Sequence, residues 1–173
     1  MGNRAKYLLA FWLLLILATS GLALEIGDPA PDFTLRTFAG RQFSRSTLTG
    51  KPLLLVFWNT WCVNCQRELV ELDRLTKTYG ADELEILAVN TGINDNERQA
   101  RDFLQQRGYN FAAGFDHDFS IGQAYQVRGV PTVCLIDAAG VLRYQQAGLP
   151  EDLPRYLGES VAFEKNQPES TLE

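Results

Sequence analysis

Residues 53–65 read Leu53-Leu54-Leu55-Val56-Phe57-Trp58-Asn59-Thr60-Trp61-Cys62-Val63-Asn64-Cys65, and this stretch decides the fold. Its first six residues are continuously apolar, which is typical of a strand that is buried on both faces of a sheet. Beyond the cysteines, leucines recur at positions 69, 72 and 75, and this spacing predicts a helix from about Cys62 to Tyr79. The stretch therefore predicts a buried strand, a short turn, and a helix whose first turn carries both cysteines.

A cysteine at the amino end of a helix lies where unpaired backbone N–H groups and the helix dipole favour an anion. A thiolate of Cys62 would be stabilised there, and the thiolate is the reactive form of cysteine. Cys65 follows one turn later, so the pair is interpreted as a dithiol/disulfide redox site. The alternatives are two buried structural cysteines or half of a zinc site. Zinc usually takes four ligands, and only Cys134 and His117 remain as further Cys or His.

The composition of the chain indicates an ordinary globular protein. Its 173 residues are 46% hydrophobic and 21% charged, and this length predicts one domain. The formal net charge of -5 argues against a nucleic-acid partner. Three cysteines are too few for a disulfide scaffold, so the pattern fits one redox couple and one further cysteine. That cysteine, Cys134, is interpreted as a buried small hydrophobe, and His117 as a loop residue.

The amino terminus has the pattern of a targeting segment. Arg4 and Lys6 precede an apolar run from Tyr7 to Leu17, and small residues follow as far as Ala23. The pattern predicts either a signal peptide cleaved after Ala23 or an uncleaved membrane anchor in residues 1–23. In both cases the basic residues stay cytoplasmic, and the rest of the protein faces the periplasm or another extracytoplasmic space.

Residues 24–160 are predicted to form the folded domain, and residues 161–173 a polar tail that we expect to be disordered. The predicted strands lie at 33–37, 42–43, 53–58, 84–90, 111–115, 132–137 and 141–146. The predicted helices lie at 62–79, 94–108, 119–125 and 150–157, the second opened by Asn94 with Glu97 in a capping box. This order predicts an α/β fold with a central mixed sheet, flanking helices and a short N-terminal β-hairpin extension.

Other residues are candidates for the same site. Pro131, in Gly129-Val130-Pro131-Thr132, opens a strand, and its peptide bond could be cis or trans. Glu68 lies on the cysteine-bearing helix and is interpreted either as a solvated carboxylate or as a partly buried acid with a raised pKa. In the second case it could relay the proton that Cys65 must lose. Trp58 is assigned to the core and Trp61 to an apolar rim beside Cys62.

Together, these motifs resemble the thioredoxin superfamily, and most closely its extracytoplasmic branch of TlpA, ResA and DsbE-type proteins. The segment Gly27-Asp28-x-Ala30-Pro31-Asp32-Phe33 is similar to that branch and to peroxiredoxins. The buried acid of cytosolic thioredoxins falls at Val56 here, which favours the extracytoplasmic branch. The resemblance covers about residues 26–157.

The resemblance implies a thioredoxin-like fold in which a cis Pro131 faces the cysteine pair. It implies that Cys62 is the exposed nucleophile, that Cys65 is the resolving cysteine, and that Glu68 is the active-site glutamate of the branch. Trp61 and Val130 are the candidate substrate-binding residues. We expect no cofactor beyond the redox-active disulfide and no metal.

The activity implied is thiol–disulfide exchange on a secreted thiol protein such as apocytochrome c, with a membrane-side electron donor that re-reduces the pair. The N-terminal segment would attach the protein to the membrane if it is uncleaved.

The sequence departs from the family pattern, and other functions remain open. Val63-Asn64 lies between the cysteines where proline is common, and Val70 stands where the branch often has proline. A DsbA-like oxidase would share the cysteine pair. A peroxiredoxin usually has Thr or Ser three residues before its nucleophile, whereas Asn59 stands there in this chain. A copper chaperone could use the two thiolates without catalysis, since soft thiolates select Cu(I).

Overall fold

The computed structural model describes residues 23–48, 50–80 and 82–157 of the chain. Seven strands are present in these residues: β1 (Thr34–Arg36), β2 (Gln42–Ser44), β3 (Leu53–Trp58), β4 (Glu85–Asn90), β5 (Ala112–Phe115), β6 (Thr132–Ile136) and β7 (Leu142–Gln146). Four α-helices accompany them in the same residues: α1 (Val63–Thr78), α2 (Glu97–Arg107), α3 (Ser120–Ala124) and α4 (Leu153–Leu157), and one short 3₁₀ helix spans Arg45–Thr47. The predicted order of elements is confirmed, with ends that shift by one to three residues.

The central sheet has five strands in the order β5-β4-β3-β6-β7. The pairs β3–β4 and β4–β5 are parallel, whereas β3–β6 and β6–β7 are antiparallel. Strands β1 and β2 form a separate antiparallel hairpin, and Thr37, which follows β1, forms an antiparallel bridge to Gly114 in the edge strand β5. The predicted fold class, a thioredoxin-like mixed sheet with flanking helices and an N-terminal hairpin, is confirmed.

Strand β3 is buried along its whole length because both faces of the sheet are covered. Leu54, Val56 and Trp58 pack in one core cluster with residues of α1 and α2. The alternate side chains pack in a second cluster on the opposite face, together with residues of the N-terminal hairpin and Tyr125. Successive side chains of a strand point to opposite faces, so a strand that is covered on both faces needs an apolar residue at every position. This explains the unbroken apolar run at 53–58, as the sequence predicts.

The prediction that Asn94 opens the second helix is wrong. Asn94 takes a left-handed backbone conformation with φ 51°, and the N-cap of α2 is Asn96. The Asn96 side chain accepts a hydrogen bond from the backbone N–H of Gln99 at 2.9 Å, which satisfies one free donor of the first turn. Asn94 belongs instead to the turn that precedes the helix. The predicted end at Gly108 is confirmed, with φ 67° at the C-cap.

The predicted targeting segment in residues 1–23 lies outside the described residues except for Ala23, and the predicted tail in residues 161–173 lies outside them entirely. Within the ranges that the structure describes, no helix has both the length and the apolar character needed to cross a bilayer.

Candidate active site

Cys62 and Cys65 form a disulfide at the amino end of α1. Cys62 is the N-cap of the helix, and its Sγ accepts a hydrogen bond from the backbone N–H of Cys65 at 3.1 Å. Cys62 is 7% exposed and Cys65 is fully buried, so Cys62 is the sulfur that an incoming group reaches first. The site therefore combines the more exposed sulfur of Cys62, a fully buried partner one turn away, and a helix terminus that favours negative charge on the first sulfur.

The Val130–Pro131 peptide bond is cis, which decides between the two geometries that the sequence left open. Strand β6 runs antiparallel to β3 with Thr132 opposite Phe57, and this register brings the Val130–Pro131 loop to the same sheet end as the cysteines. The carbonyl oxygen of Val130 lies 3.5 Å from Cys62 Sγ. A groove of about 730 Å³ runs along this loop, and its walls include Val130, Pro131, Arg128 and Gln145 but not the cysteines. The loop therefore lies between this groove and Cys62 Sγ.

Glu68 is half-buried, and its Oε2 accepts a hydrogen bond from the backbone N–H of Leu149 at 3.1 Å. It lies three residues after Cys65, a spacing that places both side chains on one face of α1. The neighbouring loop is held by Tyr144, whose hydroxyl donates to the carbonyl oxygen of Gly148 at 2.7 Å. Burial raises the pKa of Tyr144, and the nearby Tyr156 and Glu68 add to this effect. The helix thus brings the Glu68 carboxylate to the cysteine side, where the Leu149 amide anchors it.

The two tryptophans next to the site have opposite environments, as the sequence predicts. Trp58 is fully buried and packs against Phe103, with ring centroids 5.6 Å apart. Trp61 is 53% exposed, and its indole Nε1–H donates to the carbonyl oxygen of Ile93 at 3.0 Å. Val63 is also exposed, and Val130 is half-buried. Exposed apolar side chains therefore lie around Cys62.

A polar network at the carboxyl ends of β3 and β4 was missed by the sequence reasoning. Asp95 is at its centre and accepts hydrogen bonds from Thr60, Asn90 and Asn96. The signal was available in the run Asn90-Thr91-Gly92-Ile93-Asn94-Asp95-Asn96, because polar residues that follow a buried parallel strand lie at the sheet end where sites are built. This network holds the segment that leads into Cys62.

The remaining Cys and His stand apart from the cysteine pair. Cys134 is a free, fully buried thiol within β6, and burial raises its pKa to about 12. His117 is an exposed loop residue whose Nε2 lies 3.5 Å from Glu97 Oε2. Among residues 23–48, 50–80 and 82–157, no group of three or more His, Cys, Asp or Glu side chains could hold a metal ion. Both interpretations from the sequence, a buried Cys134 and a loop His117, are confirmed.

The chain is similar to known thiol–disulfide oxidoreductases in sequence and in fold. The model of the AhpC/TSA family matches residues 26–145. The thioredoxin-like protein YneN of Bacillus subtilis is 36% identical over 123 residues, which are 70% of this chain and 71% of YneN. The thiol-disulfide oxidoreductase ResA of Geobacillus kaustophilus is 34% identical over 141 residues, 80% of each chain. A crystal structure from Chlorobium tepidum, provisionally identified as the thiol:disulfide interchange protein DsbE, matches with a TM-score of 0.70 and 31% identity, covering 79% of this chain and all of that one.

Proposed function

This chain belongs to the AhpC/TSA family and is a thioredoxin-like thiol–disulfide oxidoreductase of the ResA and DsbE type. We propose that it reduces disulfides of secreted thiol proteins such as apocytochrome c. The observation that carries the proposal is the Cys62–Cys65 disulfide at the amino end of α1, with the Val130–Pro131 loop beside it. The family generally uses no cofactor beyond this redox disulfide.

The reaction begins with the reduced pair. The Cys62 thiolate attacks one sulfur of the substrate disulfide, forms a mixed disulfide, and releases the other substrate sulfur as a thiolate that takes up a proton. Cys65 then loses its proton and attacks Cys62 Sγ, which closes the Cys62–Cys65 bond and releases the second substrate thiol. Two electrons pass from the protein dithiol to the substrate.

Glu68 is the group that we assign to the proton of Cys65. Cys65 is fully buried, so water has little access to its thiol, and a carboxylate on the same helical face is a suitable acceptor. The Leu149 N–H holds one carboxylate oxygen. Pro131, Val130 and Trp61 complete the site by binding the substrate polypeptide on either side of Cys62.

The location that we propose is extracytoplasmic. It rests on the basic residues Arg4 and Lys6 followed by the apolar run up to Leu17, which is the pattern of a secretory signal or membrane anchor. Outside the cytoplasm, the oxidised pair needs a source of two electrons, and we assign this role to a membrane-side dithiol donor. An uncleaved segment would keep the protein next to such a donor.

A peroxidase is less consistent with the site, although the matching family model includes AhpC in its description. Asn59 stands three residues before Cys62, and its side chain is engaged elsewhere. Its Nδ2 donates to Asn90 Oδ1 at 3.2 Å, and its Oδ1 accepts from the Thr91 hydroxyl at 2.8 Å. Asn59 carries an amide where a peroxiredoxin carries a hydroxyl, and that amide is already hydrogen-bonded to Asn90 and Thr91.

Two cysteine variants test the proposal. With Cys65→Ser, we expect turnover to stop and a covalent adduct with a secreted thiol protein to accumulate through Cys62. With Cys62→Ser, neither turnover nor adduct should form, and Cys134→Ser serves as the matched control that leaves both unchanged. Disulfide reduction retained by Cys62→Ser would contradict the assignment, and peroxide consumption faster than disulfide reduction would favour the peroxidase.

The direction of electron flow is tested by the reduction potential of the Cys62–Cys65 couple in a fragment that starts at Leu24. A value near the thioredoxin end, roughly -270 mV, supports the reductant. A value near roughly -120 mV would instead indicate a disulfide-forming oxidase, and the role in cytochrome c maturation would be withdrawn.

A further inference from the structure

Thr60 lies two residues before Cys62, and its polar groups are engaged in three directions. Its backbone N–H donates to Asp95 Oδ2 at 2.7 Å, and its hydroxyl donates to Asp95 Oδ1 at 2.9 Å. Its carbonyl oxygen accepts from Gln66 Nε2 at 3.1 Å. A residue held at its donor and acceptor atoms has little freedom to rotate, so the chain enters Trp61 and Cys62 from a fixed starting point.

Asp95 is the anchor of this arrangement. Besides Thr60, its Oδ2 accepts from Asn90 Nδ2 at 2.8 Å and its Oδ1 accepts from the backbone N–H of Asn96 at 3.0 Å. These four donors are uncharged, and hydrogen bonds to a carboxylate are shorter and stronger than bonds between neutral groups. One side chain thus joins the end of β4, the start of α2 and the segment before the cysteines.

The same loop carries a second contact to the cysteine segment. The Trp61 indole donates to the Ile93 carbonyl oxygen, so the indole edge lies against the backbone of the 91–96 loop. The side chains of Trp61 and Ile93 are 53% and 46% exposed. Two large apolar side chains are therefore presented to solvent, one on the residue before Cys62 and one in the 91–96 loop that its indole contacts, and Asp95 holds the far end of that loop.

We propose that Asp95 is a positioning residue that holds Trp61 and Ile93 together as one apolar surface, and that this surface binds an apolar side chain next to the disulfide of the substrate. Binding of that side chain aligns the substrate disulfide with Cys62 Sγ. The proposal rests on the proposed function, because it assigns a substrate preference to the same cysteine pair.

The test uses two synthetic peptides that each contain one disulfide and differ only at the residue next to the attacked cysteine, which is Leu in one and Gly in the other. We expect the reduced protein to favour the Leu peptide about tenfold in kcat/KM, since a partly buried Leu side chain contributes a difference of this order. Asp95→Ala should reduce this preference to near one while the Gly peptide changes little. Ile93→Ala should remove the preference in the same way.

Asp95→Asn provides the conservative variant. Its amide oxygen can replace Oδ2 and keep the bonds from the Thr60 N–H and Asn90, while its NH₂ group can donate to the Thr60 hydroxyl oxygen. Only the bond to the exposed Asn96 N–H is lost. Most of the Leu preference should therefore return, which a nonspecific loss of stability does not predict.

Asp137→Ala is the matched control. Asp137 also accepts two backbone N–H groups, from Ala139 and Val141, but in the hairpin at the opposite end of β6. It should leave the preference unchanged. The proposal is overturned if Asp95→Ala slows both peptides equally or if Asp137→Ala has the same effect. Failure of the proposed function is distinct, because then the unmodified protein reduces neither peptide.

Discussion

The two ends of strands β3 and β4 are held by different chemistry. At the carboxyl ends, Asp95 accepts hydrogen bonds only from uncharged donors and fixes the segment that leads into Cys62. At the amino ends, Glu85 forms ion pairs with Arg41 at 2.8 Å and with Lys51 at 2.9 Å. Each end thus has one central carboxylate, and the reactive cysteines lie only at the first.

The two ends of the sheet differ in how strictly their hydrogen bonds fix the positions of neighbouring atoms. Amide and hydroxyl donors on short side chains and backbone fix the direction of a hydrogen bond, so the carboxyl ends hold a defined geometry beside the disulfide. Lys and Arg reach Glu85 on long, flexible side chains, which tolerate movement and fix less geometry. Changes at the carboxyl ends should therefore affect activity, whether or not they also lower stability, whereas changes at the amino ends should affect stability alone.

The largest expected effect is a difference in alkylation rate between Cys62 and Cys134, which lies at neither end of β3 and β4. Cys134 lies in the middle of β6, and with a pKa of about 12 its thiolate fraction at about pH 8 is on the order of one in ten thousand. In the reduced native protein we expect iodoacetamide to modify Cys62 rapidly and Cys134 at least a thousandfold more slowly. Mass spectrometry of the labelled peptides measures this, and all cysteines should react alike in denaturant. Equal native rates would contradict the burial of Cys134.

Gly92→Ala should disturb the reactive end most strongly. Gly92 has φ +72°, and an added Cβ would lie 2.8 Å from the carbonyl oxygen of Asp116 and 3.2 Å from the Phe115 ring. We expect a loss of about 3 kcal/mol in the free energy of unfolding, from left-handed strain and this collision. Urea denaturation measures the loss.

Gly108→Ala is the control for Gly92→Ala, because Gly108 has φ +67° but open space around its Cβ position. It should lose only about 1 kcal/mol, through backbone strain alone. Equal losses for the two variants would mean that the 91–96 loop moves freely to accommodate a side chain, and the comparison between the two ends would fail.

Glu68→Gln tests whether the reactive end includes a proton acceptor. The Gln side chain can still accept the hydrogen bond from the Leu149 N–H but binds a proton far less readily, so the structure should be kept while Cys65 deprotonation slows. We expect closure of the Cys62–Cys65 bond to slow about a hundredfold, at the low end for loss of a general base. The decay of the mixed disulfide in a stopped-flow or quenched reaction measures this step.

Formation of the mixed disulfide should be unaffected by Glu68→Gln, since Cys62 acts there. Glu71→Gln is the control, because Glu71 pairs with Arg74 on an exposed part of the same helix. If the first step slows and the second does not, Glu68 acts on Cys62 instead.

The sequence predicted well those parts of the site that depend on short-range patterns. The apolar run before Cys62 specified a buried strand, and the cysteine spacing placed both sulfurs in the first turn of α1. The position of Pro131 at the start of β6 was also predicted, although the cis bond depended on the resemblance to a family. In each case, neighbours in the chain determine the outcome.

The parts that were not predicted depend on distant contacts. Thr60 and Asp95 are 35 residues apart, and Glu68 and Leu149 are 81 residues apart, so no local periodicity indicates that they meet. The choice of Asn96 over Asn94 as the N-cap has the same origin. Asn suits a helix start at either position, and the left-handed turn at Asn94, within a loop tied to Thr60 and Trp61, makes Asn96 the N-cap.

The smallest expected effect is a change in stability at the amino ends of β3 and β4, where Glu85 lies. Burial raises the pKa of Glu85, but its hydrogen bonds and ion pairs with Arg41 and Lys51 outweigh burial and hold that pKa below its ordinary value. A lowered pKa in the folded state means that the carboxylate stabilises the fold above its ordinary pKa, and that this contribution disappears as the pH falls through the folded pKa.

Glu85→Gln should therefore lower the free energy of unfolding by about 1 kcal/mol near neutral pH, and the difference should disappear in acid as the pH falls through the lowered pKa of the folded state. Urea denaturation at several pH values measures it, with peptide reduction assayed in parallel. Glu71→Gln, at an exposed ion pair, should cost less than about 0.5 kcal/mol. Because Glu85 lies at the end of β4 away from the cysteines, disulfide reduction and the preference for the Leu peptide should both stay intact. A loss of that preference in Glu85→Gln would show that the ends are coupled through the sheet, and that Asp95 does not act alone in holding the surface beside Cys62.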